Sequence, residues 1–332
     1  MNYIIDPNLG SSMTGMVKPK KDISQILARE GYKSIRYTKR KNRISRFLFS
    51  IFDFKKLLKD VGKTKEDTLL VQYPLYSRWG TKQLFGALRN KKVIKVAFIH
   101  DIEALRANKE NKKLVDGELE VLNKFDTLIV HNSAMKRWLV DNGIKCKMIE
   151  LEIFDYLNNK PLVQTAIGKP IIFAGNLGKA PFLEKLYIDK KIILFGVNQK
   201  GKYPDNIYYK GAKDPDDLPL FLDGSFGLVW DGSKVDTNSG ILGEYTRYNN
   251  PHKVSLYLSS GLPVIVWSEA AIAKFVKENN VGIVVDSLKE IDEILKAVTI
   301  SEYNLMTENA QNVAEKLRTG FFTKQAVKQL NI

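Results

Sequence analysis

The chain has 332 residues, 44% of them hydrophobic, enough for two globular domains that each bury a core. A single cysteine, Cys146, excludes an internal disulfide, and three histidines, His100, His131 and His252, argue against a zinc cluster. The formal charge of +15 is lopsided: residues 1–160 hold 32 Lys plus Arg against 18 Asp plus Glu, and the rest 20 against 19. The front half is therefore suited to a polyanionic partner: nucleic acid, an anionic lipid surface, or a phosphorylated acceptor. No basic, apolar leader opens the sequence and no apolar run is long enough to span a bilayer, so a cytoplasmic location is expected.

Tyr3–Asp6 reads as a strand, followed by the small-residue loop Gly10-Ser-Ser-Met-Thr-Gly15. Such a loop lies at the carboxyl edge of a parallel sheet, where ligands bind; Ser11, Ser12, Thr14 and Gly15 are its acceptor-side candidates. It lacks the Gly-x-Gly-x-x-Gly spacing of a dinucleotide fingerprint. Residues 23–30 read as a helix ended by Gly31, and 33–37 as a strand. Between 39 and 60, eight Lys and Arg interleave with Phe47, Phe49, Phe52, Phe54 and several aliphatics. That segment suits either a membrane-surface helix or a helix packing its rings into the core under a basic rim.

Residues 68–73 form a buried strand ended by Pro74, residues 84–89 a helix, and residues 92–99 the next strand. At that strand's end stand His100, Asp101 and Glu103, ionisable groups placed where parallel sheets do chemistry. Residues 127–130 are a strand leading to His131, read as structural, and 134–141 a helix closed by Asn142-Gly143. After a linker between 158 and 170 a second series begins. The strand 171–174 runs into the turn Gly175-Asn176-Leu177-Gly178-Lys179, where glycines admit a ligand to the backbone and Lys179 can neutralise phosphate. Strands follow at 192–195, at 207–211 (an edge) and at 226–230, which ends on Asp231. Residues 233–248 read as loop.

The stretch Tyr248-Asn249-Asn250-Pro251-His252-Lys253 opens a short helix. Asn250 is expected to cap it and Pro251 to take its first helical position. Two basic residues in a first turn oppose the helix dipole unless an anion such as a diphosphate docks there. Strands at 263–267 and 281–285 complete the sheet, and the remainder is helical. The uninterrupted alternation predicts an α/β protein of two Rossmann-like domains: 1–160 on the acceptor side, 168–316 binding a nucleotide, and 317–332 a helix returning to the first domain. Parallel sheets facing a central cleft, the GT-B layout, follow by analogy of fold.

Several runs are more specific than the layout: 99–106, 153–157, 174–177, 194–198, 226–232 and 249–258. In order and spacing they resemble bacterial β-1,6-galactofuranosyltransferases that build O-antigen and related surface polysaccharides. A wider resemblance is to the glucosyltransferases that extend O-linked N-acetylglucosamine on streptococcal serine-rich adhesins, with Lys253 and Lys179 at matching basic positions. The resemblance implies an inverting transfer of galactofuranose from UDP-galactofuranose to a sugar hydroxyl, without a cofactor; metal independence is expected on the reading that no Asp-x-Asp motif is evident. A UDP-sugar site is expected at Gly175, Asn176, Lys179, Tyr209, Lys210, Asp231, Glu244, Tyr248, Asn250, Pro251, His252 and Lys253, with Tyr209 and Lys210 by the uracil from their position in the second sheet. Asp231 and Glu244 would hold ribose or sugar hydroxyls. Asp101 leads as the base, with His100 and Glu103 beside it. A lipid-linked glycan is the expected acceptor; an anionic membrane at the inner face of the plasma membrane is a candidate partner from the basic and aromatic residues of 39–60 themselves, and a further copy of the chain is another. UDP-glucose as donor is the alternative. A silent nucleotide-sugar sensor or a nucleic-acid binder is the alternative of another class, although no nucleic-acid motif accompanies the charge.

Overall fold

A computed structural model describes residues 1–7, 17–38, 42–64, 66–75 and 78–330. The chain forms two compact units: Met1–Leu151, together with the residues from Thr323 onward, and Glu152–Phe322. The loop candidates Ser11, Ser12, Thr14 and Gly15 lie outside the described residues.

In the first unit six strands form one parallel sheet: β1 (Asn2–Pro7), β2 (Lys33–Tyr37), β3 (Thr68–Tyr73), β4 (Ile94–Ile99), β5 (Thr127–Val130) and β6 (Lys147–Glu150). Their spatial order is β2-β1-β3-β4-β5-β6. The helices between them are α1 (Val17–Arg29), α2 (Arg43–Leu57), α3 (Arg78–Leu88), α4 (Glu103–Asn108), α5 (Lys112–Leu122) and α6 (Ser133–Asp141). Every residue of β5, and all of β3 but its first, is buried, as expected of central parallel strands covered on both faces. The edge strand β2 buries only Tyr37.

α2 carries the basic aromatic segment, and only part of it is core. Phe54 is fully buried and stacks on Tyr37 with ring centroids 4.7 Å apart; Leu58 just beyond the helix is fully buried too. Phe52 is 63% exposed, on the same side of the core boundary as exposed Lys55, Lys56 and Lys59. The side chains of Phe47 and Phe49 lie outside the described set. Among the described residues no helix is long and apolar enough to cross a membrane.

The second unit repeats the plan with β7 (Ile171–Asn176), β8 (Ile192–Val197), β9 (Ile207–Tyr209), β10 (Gly227–Val229), β11 (Val264–Trp267) and β12 (Gly282–Val285). They lie in the parallel order β12-β11-β10-β7-β8-β9. Its helices are α7 (Gly240–Tyr245), α8 (His252–Ser259), α9 (Ala273–Glu278), α10 (Ile291–Ala297) and α11 (Ile300–Thr319). α7 sits inside the stretch read as loop, because its sequence, Gly-Ile-Leu-Gly-Glu-Tyr, has too few turns to show a helical period. α11 begins on a capping box between Thr299 and Glu302 and ends on Gly320 in the left-handed region at φ 77°. The last helix, α12 (Phe321–Lys328), passes into the first unit. There Lys324 pairs with Glu30 at 3.3 Å and Lys147 Nζ donates to the Gln329 carbonyl at 2.7 Å.

Strand order reverses between β7 and β10 in the second sheet and between β1 and β3 in the first. At such a point the connections on either side run to opposite faces, leaving a crevice at the carboxyl ends of the two strands.

Candidate active site

Four pieces of the second unit meet at the carboxyl ends of β7, β8 and β10. The first is Gly175-Asn176. Its backbone lies so close to β8 that a Cβ on Gly196 would fall 1.7 Å from the Gly175 carbonyl oxygen, so only glycine fits there. Asn176 Oδ1 accepts from the Gly178 N–H and from Asn198 Nδ2, each at 3.0 Å, which sets the turn that carries Lys179. Asn198, the second piece, follows β8 in the left-handed region at φ 61°, a conformation asparagine tolerates better than most residues.

The third piece is Trp230-Asp231 at the end of β10, and the fourth is the start of α8. Lys253 joins them. Its stem passes over Gly175, and its Nζ lies 3.2 Å from both the Trp230 carbonyl and Asp231 Oδ1. The ammonium also stands 4.5 Å from the centre of the Phe173 ring. Lys253 and Asp231 keep 17% and 19% exposure, so the pair is sheltered yet reachable. Beneath it Tyr257, fully buried, accepts from the Ala174 N–H at 2.7 Å and donates to the Leu228 carbonyl at 3.4 Å. Burial pushes the phenol's pKa up, so it stays a neutral tie between α8 and strands β7 and β10.

The helix start departs from the sequence expectation. Pro251, with φ −63° and ψ 128°, is itself the cap residue rather than the first helical one. Asn250 does not cap: its Nδ2 donates to the Glu152 carbonyl at 2.8 Å, a partner about a hundred positions away that no local pattern could reveal. Pro251 offers no side-chain cap, and the first-turn N–H groups lie beside Lys253. The His252 ring packs between Phe154 and Tyr156, with centroids 5.7 and 5.3 Å away.

The remaining donor candidates are spread along the same edge. Tyr209, 40% exposed on the edge strand β9, donates to the Gly196 carbonyl at 2.9 Å, and Lys210 follows it, exposed. Glu244 on α7 is held by Arg247 Nε at 3.1 Å; Arg247 also pairs with Glu269 and stacks 4.5 Å from the Trp267 ring. Tyr248 is partly exposed just before Asn249, whose Oδ1 is buried with no hydrogen-bond partner among the described residues. The expectation of no metal passes over one Asp-x-Asp run, Asp214-Pro215-Asp216. It forms an exposed turn in which Asp214 Oδ1 accepts from the Asp216 N–H at 2.9 Å. Among the described residues no group of three or more His, Cys, Asp or Glu side chains is arranged to hold a metal.

The first unit gathers its ionisable groups at the end of β4. Asp101 Oδ2 accepts from Arg106 Nη1 at 2.9 Å, so its charge is already neutralised one helical turn away. His100, buried, has Nε2 2.9 Å from Gln72 Oε1 at the end of β3. Glu103 opens α4, and the buried Glu118 carboxylate on α5 accepts from the Glu103 N–H and the Tyr73 hydroxyl, each at 2.9 Å. Burial raises the Glu118 pKa, outweighing its hydrogen bonds. His131 is internal: its Nε2 donates to the Ile99 carbonyl at 3.1 Å, and burial lowers its pKa to about 4. Lys20 on α1 is 2% exposed, donates to the Gln72 and Pro74 carbonyls, and burial lowers its pKa to about 7. Lys20, Ser24 and Gln72 were not legible as site residues, because they look like any helix or strand residue until the topology puts them at one sheet edge.

Family models for the glucosyltransferase 3-like N-terminal and C-terminal domains match residues 1–153 and 171–330. The chain belongs to the glucosyltransferase 3-like family. It is 34% identical over 278 residues to the beta-1,6-galactofuranosyltransferase WbbI of Escherichia coli (strain K12), covering 81% of this chain and 80% of that one. It is 29% identical over 264 residues to glucosyltransferase 3 of Streptococcus gordonii, covering 79% and 78%. Glycosyl transfer is thus the reaction class of this family member. Among solved structures, a sucrose-phosphate synthase from Thermosynechococcus elongatus superposes with TM-score 0.68 at 10% identity, over 99% of this chain and 97% of that one. The Escherichia coli trehalose-6-phosphate protein bound with UDP-2-fluoro glucose does so with TM-score 0.59 at 12% identity, over 100% and 99%. These likenesses give the glycosyltransferase its fold class: GT-B, two Rossmann-like units.

Proposed function

We propose that this glycosyltransferase moves galactofuranose from UDP-galactofuranose to a sugar hydroxyl of a surface-polysaccharide precursor, forming a β-1,6 linkage with inversion at the anomeric carbon. The observation that carries the reading is Lys253, seated where strand order reverses and beside the uncapped start of α8. That place suits a diphosphate: a cation and converging N–H groups meet the charge that develops as the nucleotide leaves. The higher identity to WbbI than to the glucosyltransferase 3 relatives favours galactofuranose over glucose.

In the step itself an acceptor oxygen bonds to the anomeric carbon while the bond from that carbon to the β-phosphate oxygen breaks. The electron pair leaves with UDP, and the acceptor's proton must go to a base. Asp101 is engaged with Arg106, which weakens it as a base, so His100 is assigned the proton and Asp101 and Glu103 the stabilisation of the resulting imidazolium. Fixed cations and the helix start take the place of a metal in this reading. Exposed Phe52, with Lys55, Lys56 and Lys59, holds the enzyme near an anionic membrane where a lipid-linked acceptor resides.

The test is incubation with UDP-galactofuranose, UDP-galactopyranose and UDP-glucose plus glycoside acceptors in EDTA, with the product's anomeric configuration read by NMR. Turnover of UDP-galactofuranose to a β-product is expected. Exclusive use of UDP-glucose, a retained configuration, or loss of all activity in EDTA would each overturn the corresponding part.

A further inference from the structure

The amide that joins Trp230 to Asp231 is held at both ends. Its carbonyl accepts from Lys253 Nζ at 3.2 Å, and its N–H donates to Asn238 Oδ1 at 3.1 Å. Asn238 lies in the connection from β10 to α7 and is 1% exposed. Its Nδ2 donates to Thr246 Oγ1 at 3.0 Å, and that hydroxyl donates to the Gly243 carbonyl at 2.6 Å, on α7. These partners fix the orientation of the Asn238 amide. Turned over, its NH2 would face the Asp231 N–H, and its oxygen a hydroxyl whose proton is committed to Gly243. Every donor in the line points the same way, from the Lys253 ammonium toward the α7 carbonyl, so each bond polarises the next. The packing is as close as the bonding. A Cβ on Gly243 would fall 2.6 Å from the Asn238 carbonyl carbon, and one on Gly232, at φ 104°, would fall 2.3 Å from the Ser239 carbonyl oxygen. The Gly232 N–H also donates to the Lys179 carbonyl at 3.0 Å, so the same strand end carries the turn that holds Lys179.

We propose that Asn238 is a positioning residue for Lys253: by taking the Asp231 N–H it turns the Trp230 carbonyl toward the ammonium and sets where that cation stands at the start of α8. The proposal rests on the reading of Lys253 as the partner of the leaving diphosphate. Asn238 touches no substrate in it and acts through the Trp230–Asp231 amide. That amide is trans, so its C=O and N–H point in opposite directions and fixing one fixes the other. The Trp230 ring is anchored separately, 0% exposed and with Nε1 donating to the Lys234 carbonyl at 2.9 Å, but this holds the side chain and leaves the peptide plane to Asn238. The second contact of Lys253, Asp231 Oδ1 at 3.2 Å, belongs to the residue whose N–H Asn238 holds. Both oxygens that seat the cation therefore depend on one buried side chain. Through Thr246, just past α7, the same side chain is tied to the helix that carries Glu244. The groups assigned to the diphosphate and to the sugar hydroxyls are in this way set relative to one another.

The test is a double-mutant cycle in the full chain, reading the Kd of UDP by calorimetry and kcat at saturating donor. Asn238→Ala is expected to weaken UDP binding about fivefold or more and to lower kcat about tenfold or more. In the Lys253→Met background the same substitution is expected to change each by less than about twofold, because the group it positions is gone. Thr246→Val removes the hydroxyl that orients the Asn238 amide at nearly constant shape, and is expected to weaken UDP about threefold or more; Thr246→Ser is expected to stay within about twofold of the wild type. A side chain that only holds the fold costs the same factor with and without Lys253. Equal factors in the two backgrounds overturn the proposal, as do wild-type values in a folded Asn238→Ala. If Asn238→Ala gives no cooperative melt, Thr246→Val and Thr246→Ser in both backgrounds decide in its place. If no donor is turned over, the proposed reaction falls and the UDP affinities alone complete the cycle. If Lys253→Met changes neither quantity, the reading of Lys253 falls, and a crystal structure of Thr246→Val or Asn238→Ala decides the positioning: a Trp230 carbonyl still within hydrogen-bond distance of Lys253 Nζ overturns it.

Discussion

Replacing Lys253 by Met keeps much of the stem that covers Gly175 and removes the charge. In the resting enzyme the ammonium contacts the Trp230 carbonyl and Asp231 Oδ1, both at 3.2 Å, at 17% exposure. Those two contacts occupy two of its three N–H groups, so its gain on binding substrate is modest and grows as the leaving diphosphate acquires charge. Loss of one such fixed donor lowers kcat by about 10²–10³, equivalent to about 2.7–4 kcal/mol of barrier. Asp231 is left without its cation, which weakens the affinity for an anionic donor further through repulsion at short range. Lys253→Met with Asp231→Asn removes that repulsion and is expected to recover donor affinity but not kcat. Initial rates with saturating donor, calorimetric titration with UDP, and a thermal melt to confirm folding separate these effects. A Lys253→Met enzyme within fivefold of the wild-type kcat would refute the placement of the leaving group at this end of α8.

Gly196→Ala puts a methyl group into the Gly175 carbonyl, and the expected result is loss of UDP binding with a lowered melting temperature for the second unit, measured by titration and calorimetry. Lys20, with its pKa lowered to about 7 by burial, binds a proton more readily when unfolded; between about pH 7 and 10 the unfolded chain therefore holds more protons, and stability rises with pH. Urea melts over that range should show the rise in the wild type and its loss in Lys20→Met. Phe52→Asp alters a ring that is 63% exposed, so it should weaken partition onto anionic vesicles severalfold while leaving the melting temperature within about a degree; unchanged partition would remove this face from the membrane reading.

Much of the local structure at the candidate site of the second unit was legible in the chain because its signals are local. Gly175 to Lys179 announces a turn, Asn249 to Lys253 a helix start with misplaced cations, and Phe226 to Asp231 a strand running out into polar residues. These depend on near neighbours, and periodicity and turn chemistry report near neighbours faithfully. Asn250 shows the limit of such reasoning. Its composition and position both said cap, yet a carbonyl from the start of the second unit competes for its amide, and the proline beside it takes the cap position instead.

By itself the sequence determined the alternation of strands and helices, the two-unit plan, the buried parallel strands and the family resemblance, since each is written in short-range pattern or in runs of identical residues. The tertiary structure alone decided which strand ends are neighbours. Strand order is set by long-range pairing, so only the folded sheets bring Lys253 to Asp231, and Ser24, Gln72 and His100 into one hydrogen-bonded line. Burial then gives those contacts their chemistry, by removing the water that would otherwise let each group turn or titrate independently.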